Sequence, residues 1–217
     1  MLKATGIFKG YGKLGVLNDV SLHVGKGEVI SIVGASGAGK STLLHILGTL
    51  DTPDMGEVSI ENTTISSLNR TQLSEFRNQH IGFVFQFHNL LPEFTAFENV
   101  CMPAFIKGTP LAQLETKANE LFDLLHLSHR KYHKPSEMSG GEQQRAAVAR
   151  ALINSPAIIF ADEPSGNLDS ANANELHNLF FKLRDDFQHT FVIVTHNEEF
   201  ADMADRKLVM RDGKIVE

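Results

Sequence analysis

The sequence is poor in cysteine, in basic runs and in long apolar stretches, and each shortage excludes a class of protein. With Cys101 as its single cysteine, the chain cannot form an internal disulfide, which suits a reducing cytosol. The formal net charge is −6 and no dense Lys/Arg run occurs, so we expect no nucleic-acid partner. No apolar stretch approaches the roughly 18 residues of a membrane-spanning helix, and the N-terminus has no signal-peptide core. We therefore expect a cytosolic protein that can still dock onto a membrane protein.

The composition that is present is that of an ordinary globular protein, arranged in three parts. Apolar residues make up 42 % and charged residues 21 % of the 217 residues, which allows one sizeable domain with a substantial core. The middle part carries apolar residues at helical spacing. They are Leu111, Leu114, Ala118, Leu121, Phe122 and Leu125. We predict a single domain, residues 1–217, with an α/β core (1–86 and 156–217) interrupted by a mostly helical insertion (87–155).

Several apolar runs predict the strands of that core. The run "EVISIVG" (28–34) is nearly unbroken and β-branched, as expected of a strand buried on both faces of a parallel sheet. The runs "AIIFADE" (157–163) and "TFVIVTH" (190–196) are similar and end in polar residues, with a helix predicted between them. Further strands are predicted at 16–24, 56–65 and 81–86, with a closing hairpin around Asp212-Gly213.

The stretch "GASGAGKST" (34–42) follows a predicted strand and precedes an apolar helix, which is the context that a phosphate-binding P-loop requires. Its glycines let backbone N–H groups surround phosphates, Lys40 reaches the β- and γ-phosphates, and the Ser41 hydroxyl is a ligand for Mg²⁺. A purely structural turn is the alternative, and the flanking elements disfavour it. The predicted nucleotide contacts are Gly34, Ala35, Ser36, Gly37, Ala38, Gly39, Lys40, Ser41 and Thr42.

Two adjacent carboxylates, Asp162 and Glu163, end a predicted buried strand. Beside a triphosphate they are unfavourable unless a cation is bound, so Mg²⁺ is implied, with Asp162 holding it through water. Glu163 would face the attacking water as the general base, since neighbouring negative charge raises a carboxyl pKa. His196 ends another buried strand, where parallel sheets present their ligands, and we expect it to contact the γ-phosphate. A solvated acidic turn and a structural histidine are the alternatives.

A second anion site is predicted about a hundred residues after the P-loop, in "MSGGEQQRAAVAR" (138–150). Ser139 and Glu142 have the spacing of a capping box, which marks the start of a helix. Gly140 and Gly141 leave the N–H groups of that helix end uncovered, and such an end attracts anions. The residues alone do not explain why a single chain has two phosphate sites.

Two further patterns are set aside. "GYGKLG" (10–15) fits a dinucleotide-binding fingerprint, but a strand-like segment follows it where a helix is required, so we reject a nicotinamide cofactor. His126, His129 and His133 are spaced like metal ligands on a helix, but no Cys or carboxylate pattern accompanies them and Pro135 suggests a helix end. A solvated face is the favoured interpretation.

Together these motifs resemble the nucleotide-binding subunits of ABC transporters, over nearly the whole chain. The resemblance implies an ATPase that uses ATP and Mg²⁺. Its fold would be a P-loop NTPase core with a mostly parallel sheet, an N-terminal antiparallel β subdomain and an inserted α-helical signature subdomain. It also implies that Tyr11 stacks on adenine, that Gln86 touches Mg²⁺ and links to membrane subunits, and that His196 is the switch histidine. Asp169, in "SGNLD" (165–169), would be a dimer contact.

The resemblance also gives the second anion site a use. Two copies of the chain would form an ATP-dependent homodimer, in which each ATP lies between the P-loop of one copy and the signature helix of the other. The residues acting in trans would be Ser139, Gly140, Gly141 and Glu142. Catalysis would fall to Glu163, His196, Gln86 and Lys40, with Ser41, Gln86 and Asp162 holding the metal.

Within the family, "FQFHNLLPEFTAFENVCMP" (85–103) and "ADEPSGNLDSANA" (161–173) are most similar to the ATPases of bacterial lipoprotein-releasing systems. ATPases of macrolide-type exporters and of cell-division complexes share much of this pattern and remain alternatives; a soluble non-transport ABC ATPase is a further one. The resemblance implies integral membrane permease subunits on separate chains, because the sequence stops soon after the final hairpin. It implies a peripheral location on the cytoplasmic side of the bacterial inner membrane.

A concentration of phenylalanine marks a candidate contact with those subunits. Of the fifteen phenylalanines, six lie between Phe83 and Phe105, together with Leu90, Leu91 and Pro92. Each is as well explained by core filling as by a groove that receives a short helix of a membrane subunit.

Overall fold

The computed structural model describes residues 1–216, and its elements follow the predicted alternation of strands and helices. The strands are β1 (Leu2–Tyr11), β2 (Leu14–Val24), β3 (Val29–Val33), β4 (Met55–Ile60), β5 (Thr63–Thr64), β6 (Ile81–Phe85), β7 (Ile158–Asp162), β8 (Thr190–Val194), β9 (Arg206–Arg211) and β10 (Lys214–Ile215). The helices are α1 (Lys40–Leu47), α2 (Arg70–His80), α3 (Ala96–Lys107), α4 (Leu111–Leu124), α5 (Gly140–Leu152), α6 (Ser170–Phe187) and α7 (Glu198–Met203).

The central sheet of the described residues has six strands in the order β10-β9-β3-β8-β7-β6. Strands β9, β3, β8, β7 and β6 are parallel, and β10 pairs antiparallel with β9 as the predicted closing hairpin. Every residue of β3 and β8 is buried, as the nearly unbroken apolar runs predicted. The predicted mostly parallel sheet is confirmed.

A smaller sheet of the described residues, in the order β2-β1-β4-β5, is antiparallel and confirms the predicted N-terminal β subdomain. The single strand predicted at 56–65 is wrong in one respect. Glu61 and Asn62 both adopt positive φ (50° and 65°), so the chain turns there and β5 folds back on β4. The short polar run between two β-branched segments is the turn.

The central sheet separates two apolar clusters, because successive side chains of a strand point to opposite faces. In β7, Ile158 and Phe160 pack with β1, β2, β4 and α1, whereas Ile159 and Ala161 pack with the helices of the other face. That second cluster includes Val100 of α3, Phe122 of α4 and Val148 of α5, together with Phe180 of α6. The helices between β6 and β7 therefore share a core with the sheet.

The helices differ in how well the sequence signals them. The apolar spacing from Leu111 onward forms α4, and the helix predicted between β7 and β8 is α6. Helix α2 was not among the predicted elements because Phe76 is its one buried residue; it is capped by Asn69 and Gln72. With so little apolar patterning, a solvated helix of this kind is hard to distinguish from a loop.

Candidate functional site

The P-loop joins β3 to α1, where the backbone takes conformations that require glycine. Gly34 has φ of 150° and Gly39 has φ of 97°, both in the region that side chains disfavour. A Cβ on Gly34 would collide with the Met210 carbonyl oxygen, and one on Gly39 with Leu17 and the Val16 carbonyl. The loop is therefore held closely between the two sheets, with α1 starting directly behind it.

Lys40 is the first residue of α1, and its side chain turns back over the loop. Its Nζ donates to the Gly34 carbonyl at 2.8 Å and to the Ala35 carbonyl at 3.0 Å, and the residue is 6 % exposed. The ammonium thus lies over the loop backbone that would surround phosphates. A lysine over such a loop would neutralise the charge of phosphates bound there.

The P-loop meets the acidic strand end through Ser41. The Ser41 Oγ donates to Asp162 Oδ1 at 3.1 Å, and His45 Nε2 lies 3.8 Å from Asp162 Oδ2. A hydroxyl and a carboxylate side by side are hard oxygen donors of the type that Mg²⁺ prefers. Within residues 1–216, no cluster of three or more His, Cys, Asp or Glu could hold a metal ion without help. These donors therefore fit a magnesium ion whose remaining ligands come from a nucleotide and water.

Glu163 follows β7 in a strained conformation, with φ of 48°. Its backbone N donates to the Val194 carbonyl at 2.9 Å, and its Oε2 accepts from the His196 backbone N at 3.1 Å. The His196 Nε2 lies 3.1 Å from Glu163 Oε1, which is buried and accepts no hydrogen bond from the described residues. Burial raises the pKa of Glu163, with Asp162 adding to the rise and His196 and Lys40 opposing it.

Gln86 follows the end of β6, the strand that pairs with β7. Register places Phe85 opposite Asp162, and Asp162 opposite Val194 of β8. The chain thus brings Gln86, Glu163 and His196 to the carboxyl ends of three neighbouring strands, as the sequence predicted for the two latter residues. The side chain of Gln86 donates through Nε2 to Asn167 Oδ1 at 3.2 Å.

Tyr11 ends β1 and is half exposed, at 52 %. Its hydroxyl donates to Asp51 Oδ2 at 2.5 Å, and this hydrogen bond is the main reason that its pKa is raised. Lys9 binds the same carboxylate at 2.9 Å and lies 5.1 Å from the centre of the Tyr11 ring. The phenol is therefore held in place while one side of the ring stays accessible. Neither Lys9 nor Asp51 belongs to a motif that sequence reasoning could have singled out.

The signature segment forms the predicted capping box at the start of α5. The Ser139 Oγ accepts from the Glu142 N at 3.3 Å, and Glu142 Oε2 accepts from the Ser139 N at 2.8 Å. Glu142 Oε1 also receives Arg130 Nε at 2.8 Å and lies 3.2 Å from His129 Nε2. Burial alone would raise the pKa of Glu142, but these donors outweigh it and hold the pKa at about 2. The Glu142 carboxylate is thus fully engaged within its own chain.

The two signature glycines have different surroundings. A Cβ on Gly140 would meet a single atom within 4 Å, Leu168 Cδ2 at 3.8 Å, so this position is open. A Cβ on Gly141 would collide with the side chain of Asn172 on α6. Gly141 is therefore needed for packing inside the chain, and Gly140 is the glycine that can face a ligand or partner.

Asp169 has a role that the sequence did not indicate, as the N-cap of α6. Its Oδ1 accepts from the Asn172 N at 2.9 Å, which is the main cause of its lowered pKa, and its Oδ2 accepts from Asn172 Nδ2 at 2.7 Å. Through Asn172, the segment 165–169 is in contact with Gly141. The structure thus joins the signature helix to the segment predicted to lie at a dimer interface.

The signature helix and the P-loop lie in different parts of the fold. Helix α5 packs on α3, α4, α6 and β6, whereas α1 packs on β2, β7 and β8. The two predicted anion sites therefore lie on helices that pack against different elements.

The loop between Gln86 and α3 is held by two side chains that the sequence did not single out. Arg150 of α5 donates to the carbonyls of His88 and Asn89, at 2.7 and 2.5 Å. Asn99 of α3 is 1 % exposed; its amide donates to the carbonyls of Leu91, Phe94 and Thr95 and accepts from the Leu91 N. We call residues 87–95 the bridging loop, since it connects Gln86 to α3 and is bound to α5.

The three histidines spaced like metal ligands do not share a helix. Helix α4 ends at Leu124, and His126 takes a φ of 55° beyond it. His129 lies in a short 3₁₀ turn and contacts Glu142, so it helps to hold the capping box. The stretch "GYGKLG" (10–15) covers the end of β1, a two-residue turn and the start of β2, so a strand follows it and its rejection as a dinucleotide motif is confirmed.

The chain thus combines a P-loop with two carboxylates and a histidine at neighbouring strand ends of a mostly parallel sheet, and with a capped helix elsewhere. This is the combination expected of an ATPase. The ABC transporter family model matches residues 17–166, and the chain belongs to that family. It is 62 % identical to the lipoprotein-releasing system ATP-binding protein LolD of Cytophaga hutchinsonii, over 100 % of this chain and 99 % of that protein. It is 58 % identical to the LolD protein of Bacteroides fragilis, over the full length of both. The resemblance found in the motifs is thus confirmed.

Solved structures agree with the fold and with its chemistry. The dimeric structure of the bacterial ABC transporter cassette MJ0796 has a TM-score of 0.92 and 40 % identity, covering 100 % of this chain and 97 % of that one. A dimeric post-hydrolysis state of MJ0796, bound to ADP and Pi, has a TM-score of 0.91 and 39 % identity, with the same coverage. The chain is an ABC-type ATPase that binds ATP. No helix in residues 1–216 has the length and apolar character needed to cross a membrane.

Proposed function

We propose that this chain is the ATPase subunit of a lipoprotein-releasing transporter, and that it works as a homodimer on separate membrane subunits. The observation that supports the catalytic part is the meeting of Ser41, Asp162, Glu163 and His196 at one edge of the central sheet. The relatives named for lipoprotein release match over the whole chain, and this supports the transport part.

The P-loop would bind ATP and Mg²⁺ together. Backbone N–H groups of residues 34–42 and the Lys40 ammonium would bind the phosphates, with the Tyr11 ring against adenine. Ser41, Asp162 and Gln86 would hold Mg²⁺. When bound, the ion would neutralise phosphate charge as the γ-phosphoryl group is transferred.

Glu163 would act as the general base. Its carboxylate would take one proton from the attacking water as the water oxygen bonds to the γ-phosphorus and the bond to ADP breaks. The raised pKa of Glu163 suits that task, because a base with a pKa nearer neutrality accepts a proton more readily. His196, which donates its backbone N–H to this carboxylate, would orient it and contact the γ-phosphate.

Exchanging Glu163 for Gln tests this assignment. The variant keeps the shape and the hydrogen-bond acceptor but cannot take the proton. It should bind ATP and form the dimer while turnover falls by roughly 100-fold or more. An exposed carboxylate on α4, exchanged as Glu120→Gln, is the matched control and should keep its activity. Near-normal hydrolysis by Glu163→Gln would refute the assignment.

The signature helix would contribute to the nucleotide site of the partner copy. Ser139 and the open Gly140 would bind the γ-phosphate in trans, together with the exposed backbone of the first turn. Gly141 and Glu142 would support that turn through Asn172 and Arg130. Helices α5 and α1 pack against different elements of the same chain, which supports binding in trans. In a dimer, the P-loop of one copy and the signature helix of the other would together form one complete nucleotide site.

A groove beside the bridging loop would receive the membrane subunits. It has a volume of about 510 Å³ and lies between α2, β6 and α3. Phe83, Phe85, Leu91, Met102 and Ile106 are the larger apolar residues in its wall. Ile106 is 73 % exposed, which suits an apolar surface that a partner covers. A short helix of a membrane subunit fits such a groove.

The cluster of phenylalanines divides between core and surface. Phe97 packs into the helical core, and Phe83 packs against the other cluster while its ring also reaches the groove. Phe87 is 73 % exposed and Phe94 is 39 % exposed, outside the wall of the groove. The candidates for contact with a membrane subunit are therefore Phe85, Leu91 and Ile106 in the groove wall. Phe94, outside that wall, is a weaker candidate.

On this proposal the chain is peripheral on the cytoplasmic side of the inner membrane. Purification of the tagged chain from detergent-solubilised membranes tests the assembly. Recovery of integral membrane subunits with a lipoprotein-binding periplasmic part supports the proposal. Recovery of a macrolide-type exporter or of a cell-division complex would replace lipoprotein release, and recovery without any membrane protein would contradict the transport function.

A further inference from the structure

His177 is a buried side chain on α6 that contacts two segments of the active site. It is 4 % exposed, and its Nε2 shares a hydrogen bond of 2.9 Å with the Ser165 hydroxyl. On its other side, the imidazole stacks on the ring of Phe200, with 3.9 Å between the centres and 10° between the planes. Ser165 lies two residues after Glu163, and Phe200 lies four residues after His196.

The segment that carries Glu163 needs such a contact. Glu163 adopts a φ of 48°, which an L-residue keeps only when its surroundings hold it there. The N-terminal side is held by β7 and by the bond from the Glu163 N to the Val194 carbonyl. On the C-terminal side, the Gly166 N donates to the Glu163 carbonyl at 3.0 Å, and Ser165 is held by His177.

The segment that carries His196 is held by the same imidazole. Phe200 is 1 % exposed in α7, and its backbone N donates to the side chain of Asn197 at 2.8 Å. Asn197 caps α7 and directly follows His196. A shift of Phe200 therefore moves the helix start from which His196 projects, and the stack on His177 opposes that shift.

An imidazole can form both contacts, the hydrogen bond to Ser165 and the stack on Phe200. Phenylalanine would preserve the stack but could not bind Ser165, and glutamine or asparagine would preserve the hydrogen bond but not the stack. Burial lowers the pKa of His177 to about 4, so the ring is neutral near pH 7 and has one nitrogen that can accept. A neutral ring between two packed segments carries no charge that would disturb the nearby Glu163.

We infer that His177 is a positioning residue for ATP hydrolysis, which fixes Glu163 and His196 relative to one another by binding Ser165 and stacking on Phe200. The inference rests on the proposed role of Glu163. Small displacements of a catalytic group cost much activity, so loss of this link should slow the chemical step while substrate binding stays intact.

A double-mutant cycle on the full-length chain tests the link. His177→Phe keeps the aromatic ring but removes Nε2, and Ser165→Ala removes the other partner of the same hydrogen bond. We expect each to lower kcat for MgATP roughly tenfold, within the range typical of coupled residues, with KM changed less than about twofold. The double variant should be no slower than the slower single variant, because both remove one interaction.

A control has to show that the loss of kcat in these variants does not come from a loss of stability. Leu183→Val, on the same helix and 1 % exposed, is the matched control: it should lower the unfolding temperature but leave kcat unchanged at 20 °C. If His177→Phe does not fold, Ser165→Ala on the partly exposed loop still tests the link. A kcat within twofold of wild type for either single variant, or additive losses in the double variant, would overturn the inference.

The result is also distinguishable from a failure of the proposed function. If Glu163→Gln turns over normally, the role of Glu163 is wrong and the inference falls with it. If Glu163→Gln is inactive while His177→Phe and Ser165→Ala are fully active, the general base stands and only the positioning role of His177 is overturned.

Discussion

The Ser41 hydroxyl donates a hydrogen bond of 3.1 Å to Asp162 Oδ1, although 121 residues separate the two in the chain. The contact joins the start of α1 to the carboxyl end of β7. It links the phosphate-binding loop directly to the acidic pair, and its consequences can be measured.

The first prediction concerns magnesium. Because Ser41 and Asp162 would hold the ion together, Asp162→Asn should raise the Mg²⁺ concentration needed for half-maximal ATPase activity by roughly tenfold or more. A Mg²⁺ titration at saturating ATP measures it. Asp186→Asn, at an exposed carboxylate of α6, serves as the control. An unchanged Mg²⁺ requirement for Asp162→Asn would remove this residue from the metal site.

The second prediction concerns the signature helix. Gly140→Arg should leave ATP binding to the monomer intact, because the position is open, but should abolish ATP-driven dimerisation and hydrolysis. Gly141→Ala should instead lower the unfolding temperature, since its Cβ would collide with Asn172. Nucleotide binding, size-exclusion chromatography with ATP and thermal unfolding separate these effects.

A mixing experiment decides whether the signature helix acts in trans. Gly140→Arg keeps its own P-loop, and Lys40→Ala keeps its own signature helix. In a mixed dimer, one nucleotide site combines the intact P-loop of the first variant with the intact signature of the second. Action in trans predicts that mixing two inactive variants restores ATP-driven dimerisation and part of the hydrolysis. Absence of any recovery would indicate action in cis.

The third prediction concerns the groove. Ile106→Asp places a charge on an exposed apolar residue of the groove wall, so it should prevent recovery of membrane subunits without changing basal ATPase activity or the unfolding temperature. Leu111→Asp is the matched control, 57 % exposed and outside the groove wall. Equal recovery with both variants would show that the groove is not the contact.

The fourth prediction concerns the bridging loop. Asn99→Ala removes a buried amide that binds four backbone groups, which should lower the free energy of unfolding by about 2 kcal/mol. The loop would then no longer be fixed to α3, so stimulation of ATPase activity by membrane subunits should fall while basal activity remains. Chemical denaturation and the ATPase rate with and without those subunits measure the two effects. Retained stimulation would separate the loop from coupling.

The fifth prediction concerns pH. The pKa of His177 is about 4 in the folded chain, below the ordinary 6.5, so folding favours its neutral form. Its contribution to stability is therefore present above pH 6.5 and is lost as the pH falls towards 4. Between pH 7.5 and pH 5, wild type should lose up to about 2 kcal/mol more free energy of unfolding than His177→Phe. Identical losses in denaturant titrations at the two pH values would contradict the neutral, buried assignment.

The capping box and the P-loop could be predicted from the sequence because both depend on interactions between residues close together in the chain. The capping box of Ser139 and Glu142 depends on groups three residues apart, and the P-loop depends on a strand, glycines and a helix in immediate succession. The burial of β3 and β8 could be predicted from their nearly unbroken apolar runs, which are rich in β-branched residues. The break between β4 and β5 and the solvated helix α2 were missed because neither has a comparable pattern of apolar residues.

The sequence by itself therefore determined the type of chemistry: which residues can bind phosphate, which carboxylates stand at a strand end, and where helices begin. Only the tertiary structure decided which of these residues are in contact. The strand order β3-β8-β7-β6 brings Ser41 to Asp162 and His196 to Glu163, and helix packing sets Gly141 against Asn172 and His177 between Ser165 and Phe200. These contacts join residues far apart in the chain, and they follow from the packing of whole sheets and helices, which no short spacing encodes.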